Sequence, residues 1–289
     1  MRKTILAASL ASAALAVPSL AAAQAAAPAA APAPAPEYTF TGNLGLVTDY
    51  RFRGISQTFK EPAIQGGFDF SHTASGIYLG NWDSNVNSGA GYPGGSIEMD
   101  FYGGWKHSWD DWGLDLGGIY YYYPGTHATA TTIPVIANNR PGGNTLTGRV
   151  DNGELYIAGS WKWISLKYSQ AVTDYFGTPN TKGSNYTDLS ANYDLGGGWG
   201  VQGHVGHLNF KNMVNGDYTD WKIGVTKDIS GWVLGAAYID TNAKGNCSAT
   251  AVNQVYCFSN GQPGPTPGSL DKTKNAGSGT LILSVSKTF

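Results

Sequence analysis

The 289-residue chain sets 18 Lys and Arg against 20 Asp and Glu, a balance that excludes the basic surface of a nucleic-acid binder. Only 13% of residues are charged while 12% are aromatic, against about 25% charged in ordinary soluble domains, so much of the surface is expected to meet something other than water. The 40 Gly and 14 Pro beside 42% hydrophobic residues argue against both a helical and a disordered chain and leave an ordered, turn-rich β protein.

At the N-terminus, Arg2 and Lys3 precede an apolar run from Ile5 to Val17, then Pro18 and the small residues Ala21 to Ala23. That layout is a secretory signal cleaved near Ala23, so residues 1–23 are expected to be removed and the protein exported. Residues 24–36 are rich in Ala and Pro without a periodic apolar face and read as an extended, semi-rigid linker. Residues 37–289 remain as one domain, and no run in them approaches the ~20 apolar residues of a membrane helix.

Period-two alternation begins at once. From Tyr38 to Phe52 the even positions include Tyr38, Phe40, Leu44, Leu46, Tyr50 and Phe52, and the odd ones Thr39, Thr41, Asn43, Asp49, Arg51 and Arg53, which predicts one strand with an apolar and a polar face. Ala63 to Phe70 and Ile77 to Ser84 follow. Next come the segment from Ile97 through Lys106, with Ile97, Phe101 and Trp105 opposite Glu98 and Asp100, and Leu114 to Tyr123. Leu155, Ile157, Trp161 and Trp163 then alternate with Glu154, Tyr156 and Lys162. Further segments are Ser165 to Thr173, Thr187 to Tyr193, Trp199 to Phe210, Asp220 to Lys227, Trp232 to Tyr238 and Thr280 to Phe289. The count is about twelve, an even number, as in bacterial outer-membrane barrels.

The aromatic residues and the connections point to the same architecture. Trp105, Trp112, Trp161, Trp163, Trp199, Trp221 and Trp232 crowd strand ends, the position of an aromatic girdle at a membrane interface. Short links such as Ser108 to Asp111 and Asp228 to Gly231 alternate with long ones such as Gly54 to Lys60, Asn85 to Gly95, Pro124 to Val150 and Thr241 to Ala276. The fold class expected is therefore all-β: a transmembrane, antiparallel up-and-down β-barrel with short periplasmic turns and long extracellular loops, embedded in outer-membrane lipid. The last strand, LILSVSKTF, ends on Phe289 and looks like the sorting signal read by the barrel assembly machinery.

The stretch from Leu46 through Thr58 (LVTDYRFRGISQT), followed by Pro62 to Asp69, resembles the signature of the TorF-like family of proteobacterial porin-like proteins. Ile77 to Trp82, Glu98 with Asp100, and the terminal Ser286 to Phe289 are similar to that family too. The resemblance implies an outer-membrane barrel acting as a channel, with no established substrate and no catalytic residues.

By alternation the inward-facing candidates for a pore lining are Asp49, Arg51, Arg53, Glu98, Asp100, Asp115 and Glu154, with Lys162, Lys167, Asp188, Asp220 and Lys222 beside them. Opposed charges in a wet lumen set a transverse field and a size limit for small hydrophilic solutes. The alternative is that Arg51 and Arg53 pair with Glu98, Asp100 or Glu154 and brace a plugged wall. Of five histidines, His72 and His107 fall at turns, His127 in a loop, and His204 and His207 on opposite faces of one strand, which argues against an enzyme and against a metal site. No cofactor is implied. Cys247 and Cys257, ten positions apart in an exported chain, are expected to form a disulfide. The functional reading is passive diffusion through a channel, and its rival is a closed structural or adhesive barrel whose loops bind a ligand outside.

Overall fold

The computed structural model describes residues 36–92, 94–126, 149–248, 254–259 and 273–289. The expected signal segment 1–23, nearly all of the linker 24–36, His127 and large parts of the 124–150 and 241–276 connections lie outside them.

In chain order the strands are β1 (Tyr38–Val47), β2 (Arg51–Phe52), β3 (Ile55–Ser56), β4 (Ala63–His72), β5 (Ile77–Asn85), β6 (Ile97–Trp109), β7 (Trp112–Tyr122) and β8 (Asn152–Trp161). They continue with β9 (Ile164–Ala171), β10 (Asn185–Gly196), β11 (Trp199–Asn209), β12 (Tyr218–Ile229), β13 (Trp232–Thr241), β14 (Cys257–Ser259), β15 (Thr273–Asn275) and β16 (Thr280–Thr288). Twelve of them, all but β2, β3, β14 and β15, form a closed antiparallel barrel. Each barrel strand pairs with its chain neighbours, and β1 meets β16 from Asn43 opposite Thr288 to Val47 opposite Ser284, which closes the wall.

The alternation dictates which face is which. On β6, Ile97, Phe101 and Trp105 are exposed on the outside while Glu98 and Asp100 are fully buried within; β8 repeats this with Leu155, Ile157 and Trp161 outside and Glu154 inside. An exterior of exposed Leu, Ile, Val and Phe around a polar interior inverts a soluble barrel and matches one immersed in lipid.

Connections alternate as well: residues 73–76, 110–111, 162–163, 197–198 and 230–231 link strands at one end, and longer segments link them at the other. The tight turns use left-handed backbone at Asp110, Lys162 and Ser230 (φ 50°, 53° and 55°), the conformation that fits the twist of antiparallel hairpins. Trp105, Trp109, Trp112, Trp161, Trp163, Trp199 and Trp232 gather at this short-turn end, all exposed, whereas Trp221 lies at the opposite end.

Two expectations are corrected. The segment Tyr38 to Phe52 is not one strand, because β1 stops at Val47 and the chain turns inward at Thr48 and Asp49. Tyr50 and Phe52 consequently leave the lipid face and are buried, against Trp82 and Tyr121 respectively. Lys162 is not a lumen residue: it occupies the turn between β8 and β9, where its ammonium lies 3.7 Å from Asp111.

Candidate functional site

The candidate site is the barrel lumen, into which residues 48–62 fold near the long-loop end. Backbone hydrogen bonds seat this segment: Thr48 N–H donates to Leu283 (3.0 Å), Ser56 N–H to Ala276 (2.9 Å), and Gln57 oxygen accepts from Asn87 N–H (3.0 Å). Inside it β2 and β3 form a minimal hairpin, with Phe52 opposite Ile55. The two turn residues, Arg53 and Gly54, have φ of 49° and 79°, the sign that a two-residue type I′ turn requires at both positions.

Gly54 is needed at that tip. A Cβ there would lie 2.5 Å from Thr241 Cγ2 and 2.7 Å from Asp220 Cβ, so the hairpin presses directly on β12 and β13. Replacing Gly54 with Ala is expected to unseat the hairpin at a cost of about 1 kcal/mol for the backbone alone, with the steric conflict added. Faster protease cleavage within 48–62 and an unchanged barrel circular dichroism would register that result.

Two arginines lock the segment. Arg51 Nε donates to Asp49 Oδ2 (2.7 Å), and its Nη1 donates to the carbonyls of Gly54 (2.9 Å), Ala276 (2.9 Å) and Ser278 (3.2 Å). Asp49 also accepts from the hydroxyls of Ser56 (2.7 Å) and Thr58 (3.2 Å). Arg53 crosses the lumen and grips Glu154 on β8 with both ends of its fork, at 3.0 and 2.7 Å. Its Nη1 also donates to the Tyr175 hydroxyl at 2.9 Å, and its plane lies over the rings of Phe52 and Tyr186, 4.7 and 4.4 Å from their centroids. Burial pushes the Tyr175 phenol up to about 12, so at neutral pH it stays a neutral acceptor for this guanidinium.

Of the residues singled out for a pore lining, Arg53 and Glu154 meet directly, and Asp49 pairs with Arg51 rather than with the wall. The two arginines do project inward, but from an inserted hairpin and not from the face of β1. Asp115 on β7 accepts from the Tyr78 hydroxyl (2.6 Å). Glu98 and Asp100 are buried with Tyr50, Tyr92 and Tyr123 in the surrounding cluster, where Glu98 interacts with the Tyr50 and Tyr123 hydroxyls and with Asp100.

Alternation alone does not reveal a set of braces that holds the wall. Tyr102 on β6 lies over Gly80 on β5 and donates to Asp69 on β4 (2.6 Å). Tyr78 on β5 approaches Gly104 on β6 and donates to Asp115 on β7, and Tyr186 on β10 lies over Gly206 on β11 and donates to Asp220 on β12 (2.8 Å). Each glycine makes room for a ring to lie along the wall, so the ring spans three strands without filling the lumen. Asp220 and Asp188 also flank the His204 ring at 3.3 and 2.8 Å. His207 points away, to Thr219. Toward the short-turn end the inward positions are the half-buried Ser190, Gln202, Thr226 and Ser286 and the exposed Asn192, all polar, which makes a wet vestibule below the inserted hairpin.

The Cys247–Cys257 pair is bridged, with Cα atoms 5.3 Å apart. The bridge ties β14 to the preceding chain, outside the barrel wall. Reduction is expected to loosen that loop by about 2–3 kcal/mol and leave the barrel closed. Native protein that labels stoichiometrically with a thiol reagent would contradict the pairing.

A family model described as "Bacterial protein of unknown function (Gcw_chp)" matches residues 30–262. No curated protein matches the sequence. Among solved structures, the KdgM porin aligns over 86% of this chain and 99% of its own at 5% identity and a TM-score of 0.48. The structure titled "KdgM porin in complex with disordered oligogalacturonate" aligns over 87% and 99% at 6% identity and a TM-score of 0.47. OccAB4 of Acinetobacter baumannii aligns over 79% of this chain and 53% of its own at 13% identity and a TM-score of 0.38.

Proposed function

The chain belongs to the Gcw_chp family of bacterial proteins of unknown function, and from that premise we propose that it is a porin-like barrel of the bacterial outer membrane. Small hydrophilic solutes pass through its lumen by passive diffusion, and the inserted segment 48–62 narrows the path. The observation that carries this reading is the two-sided wall: strands apolar on the outside surround a lumen lined by polar and ionisable side chains. A solute path requires such a polar lumen, and the polar inward positions below the inserted hairpin supply it. The resemblance of residues 46–69 to TorF-like proteins supports the same assignment.

In this reading residues 1–23 direct export and are removed, and the short turns face the periplasm. Phe289, exposed at the end of the closing strand, is read by the assembly machinery. The reading makes the protein a channel and not an enzyme. The buried contacts of Arg51 and Arg53 favour a second reading, a permanently closed barrel whose loops serve adhesion or structure.

Vesicle swelling separates the two. Refolded protein in polymer-loaded vesicles is expected to admit small neutral sugars at rates that fall with sugar size. Vesicles that stay inert with both the natural protein and the Gly54→Ala variant would favour the closed barrel.

A further inference from the structure

We propose that a second copy of this chain docks against the outer face of β4, β5 and β6, around Asn81 and Asp83; this rests on reading the barrel as a membrane protein. On β5 the exposed Ile77 and Leu79 and the buried Tyr78, Trp82 and Ser84 set the alternation. Asn81 and Asp83 therefore stand on the lipid side. Asn81 is the central residue of the nine-residue strand, and Asp83 is two positions beyond it. Elsewhere among the described strands, the outward Asp, Glu, His, Lys and Arg side chains lie near strand ends: His72, His107, Lys227 and Lys287 toward the short turns, His207 and Asp240 toward the loops.

Asn81 Nδ2 donates to Asp83 Oδ1 at 2.8 Å. Among the described residues this leaves one amide N–H and the second carboxylate oxygen without a partner. Hydrocarbon supplies none, and an ionisable group facing lipid at this depth is costly, so such residues as a rule face protein or water. A two-fold contact resolves the deficit, because the free N–H of Asn81 can meet the partner's Asp83 while the partner's Asn81 meets Asp83. The amides then lie between the carboxylates and hold the two negative charges apart. A pair that carries both its own donor and its own acceptor is self-complementary, as an isologous interface requires.

The surroundings suit a close approach. Gly66 stands directly opposite Asp83 on β4, so the strand beside the pair lacks a side chain where a neighbouring wall would press. Toward the loop end the same exterior opens into a hollow of about 1070 Å³, lined by Leu46, Ile64, Asn85, Ile97, Leu283 and Val285 among others. It lies where β1 stops at Val47 and the chain turns inward, and it offers space for apolar side chains of the second copy.

The test uses the mature chain refolded into phosphatidylcholine vesicles at low protein-to-lipid ratio, with flotation read first. The two natural cysteines are bridged, so Leu79→Cys, on the same outward face and two positions from Asn81, carries one reactive thiol and keeps the pair, and Val205→Cys carries one on β11 across the barrel. A short bismaleimide is expected to give a covalent dimer with Leu79→Cys and at least tenfold less with Val205→Cys. By light scattering in mild detergent the natural protein is expected at dimer mass, and the Asn81→Leu/Asp83→Leu variant at monomer mass with unchanged β-sheet circular dichroism. Equal cross-linking at the two positions, or one mass for the natural protein and the double variant, would overturn the interface while leaving the membrane reading intact. Failure of the natural protein to float with the vesicles would overturn both.

Discussion

Arg53→Ala is expected to release the inserted hairpin and to be among the most damaging single substitutions in the loops. The guanidinium is held by both Glu154 oxygens, the Tyr175 hydroxyl and two ring faces, and its side chain is only 7% exposed against 2% for Glu154. Removing it strands a buried carboxylate, a change that costs about 3–5 kcal/mol when one partner of a buried pair is lost. The cost falls on the seating of residues 48–62, since the wall keeps its ladder hydrogen bonds. Protease sensitivity within that segment should rise while barrel circular dichroism persists. Arg53→Ala/Glu154→Gln should recover part of the loss, because the stranded charge is gone. If the single variant resists protease as the natural protein does, the pair does not hold the hairpin.

Ile157→Arg is expected to cost about 2–4 kcal/mol of barrel stability, the range for a cation placed on the lipid face near the membrane midplane. Ile157 is the sixth of ten residues in β8 and is half-exposed on the outside of the wall. Asn192→Arg on β10 introduces the same side chain at an inward, solvent-exposed position facing the vestibule and is expected to be nearly neutral. Denaturant titrations of both variants refolded into vesicles compare the two faces under one condition. Equal tolerance would mean that the apolar face does not meet lipid.

The barrel was legible in the sequence because a wall between lipid and water imposes period two on every strand. Ile97 to Trp105 and Leu155 to Trp161 show it without interruption, and the alternation of short and long links orders the strands up and down. The failure at Tyr38 to Phe52 has a physical cause: Asp49, Arg51 and Arg53 continue the alternation of β1, yet they do so in a segment that has left the wall. The one local signal against a continuous strand is Arg53-Gly54 between Phe52 and Ile55, a dipeptide suited to a two-residue hairpin turn. Lys162 was misplaced because the turn after Trp161 is only two residues long, so the period runs through it unbroken. The braces from Tyr102, Tyr78 and Tyr186 depend on which residues of neighbouring strands come abreast. That register is set by pairing across the sheet and leaves no mark within a single strand.

Single-channel recording in a planar bilayer tests the central claim most directly. If the lumen is a solute path narrowed by residues 48–62, the natural protein gives discrete, small conductance steps, and Arg53→Ala gives larger ones as the hairpin leaves the path. A silent bilayer with both proteins, under conditions where each is shown to be inserted and folded, would contradict the channel and leave a closed barrel in its place.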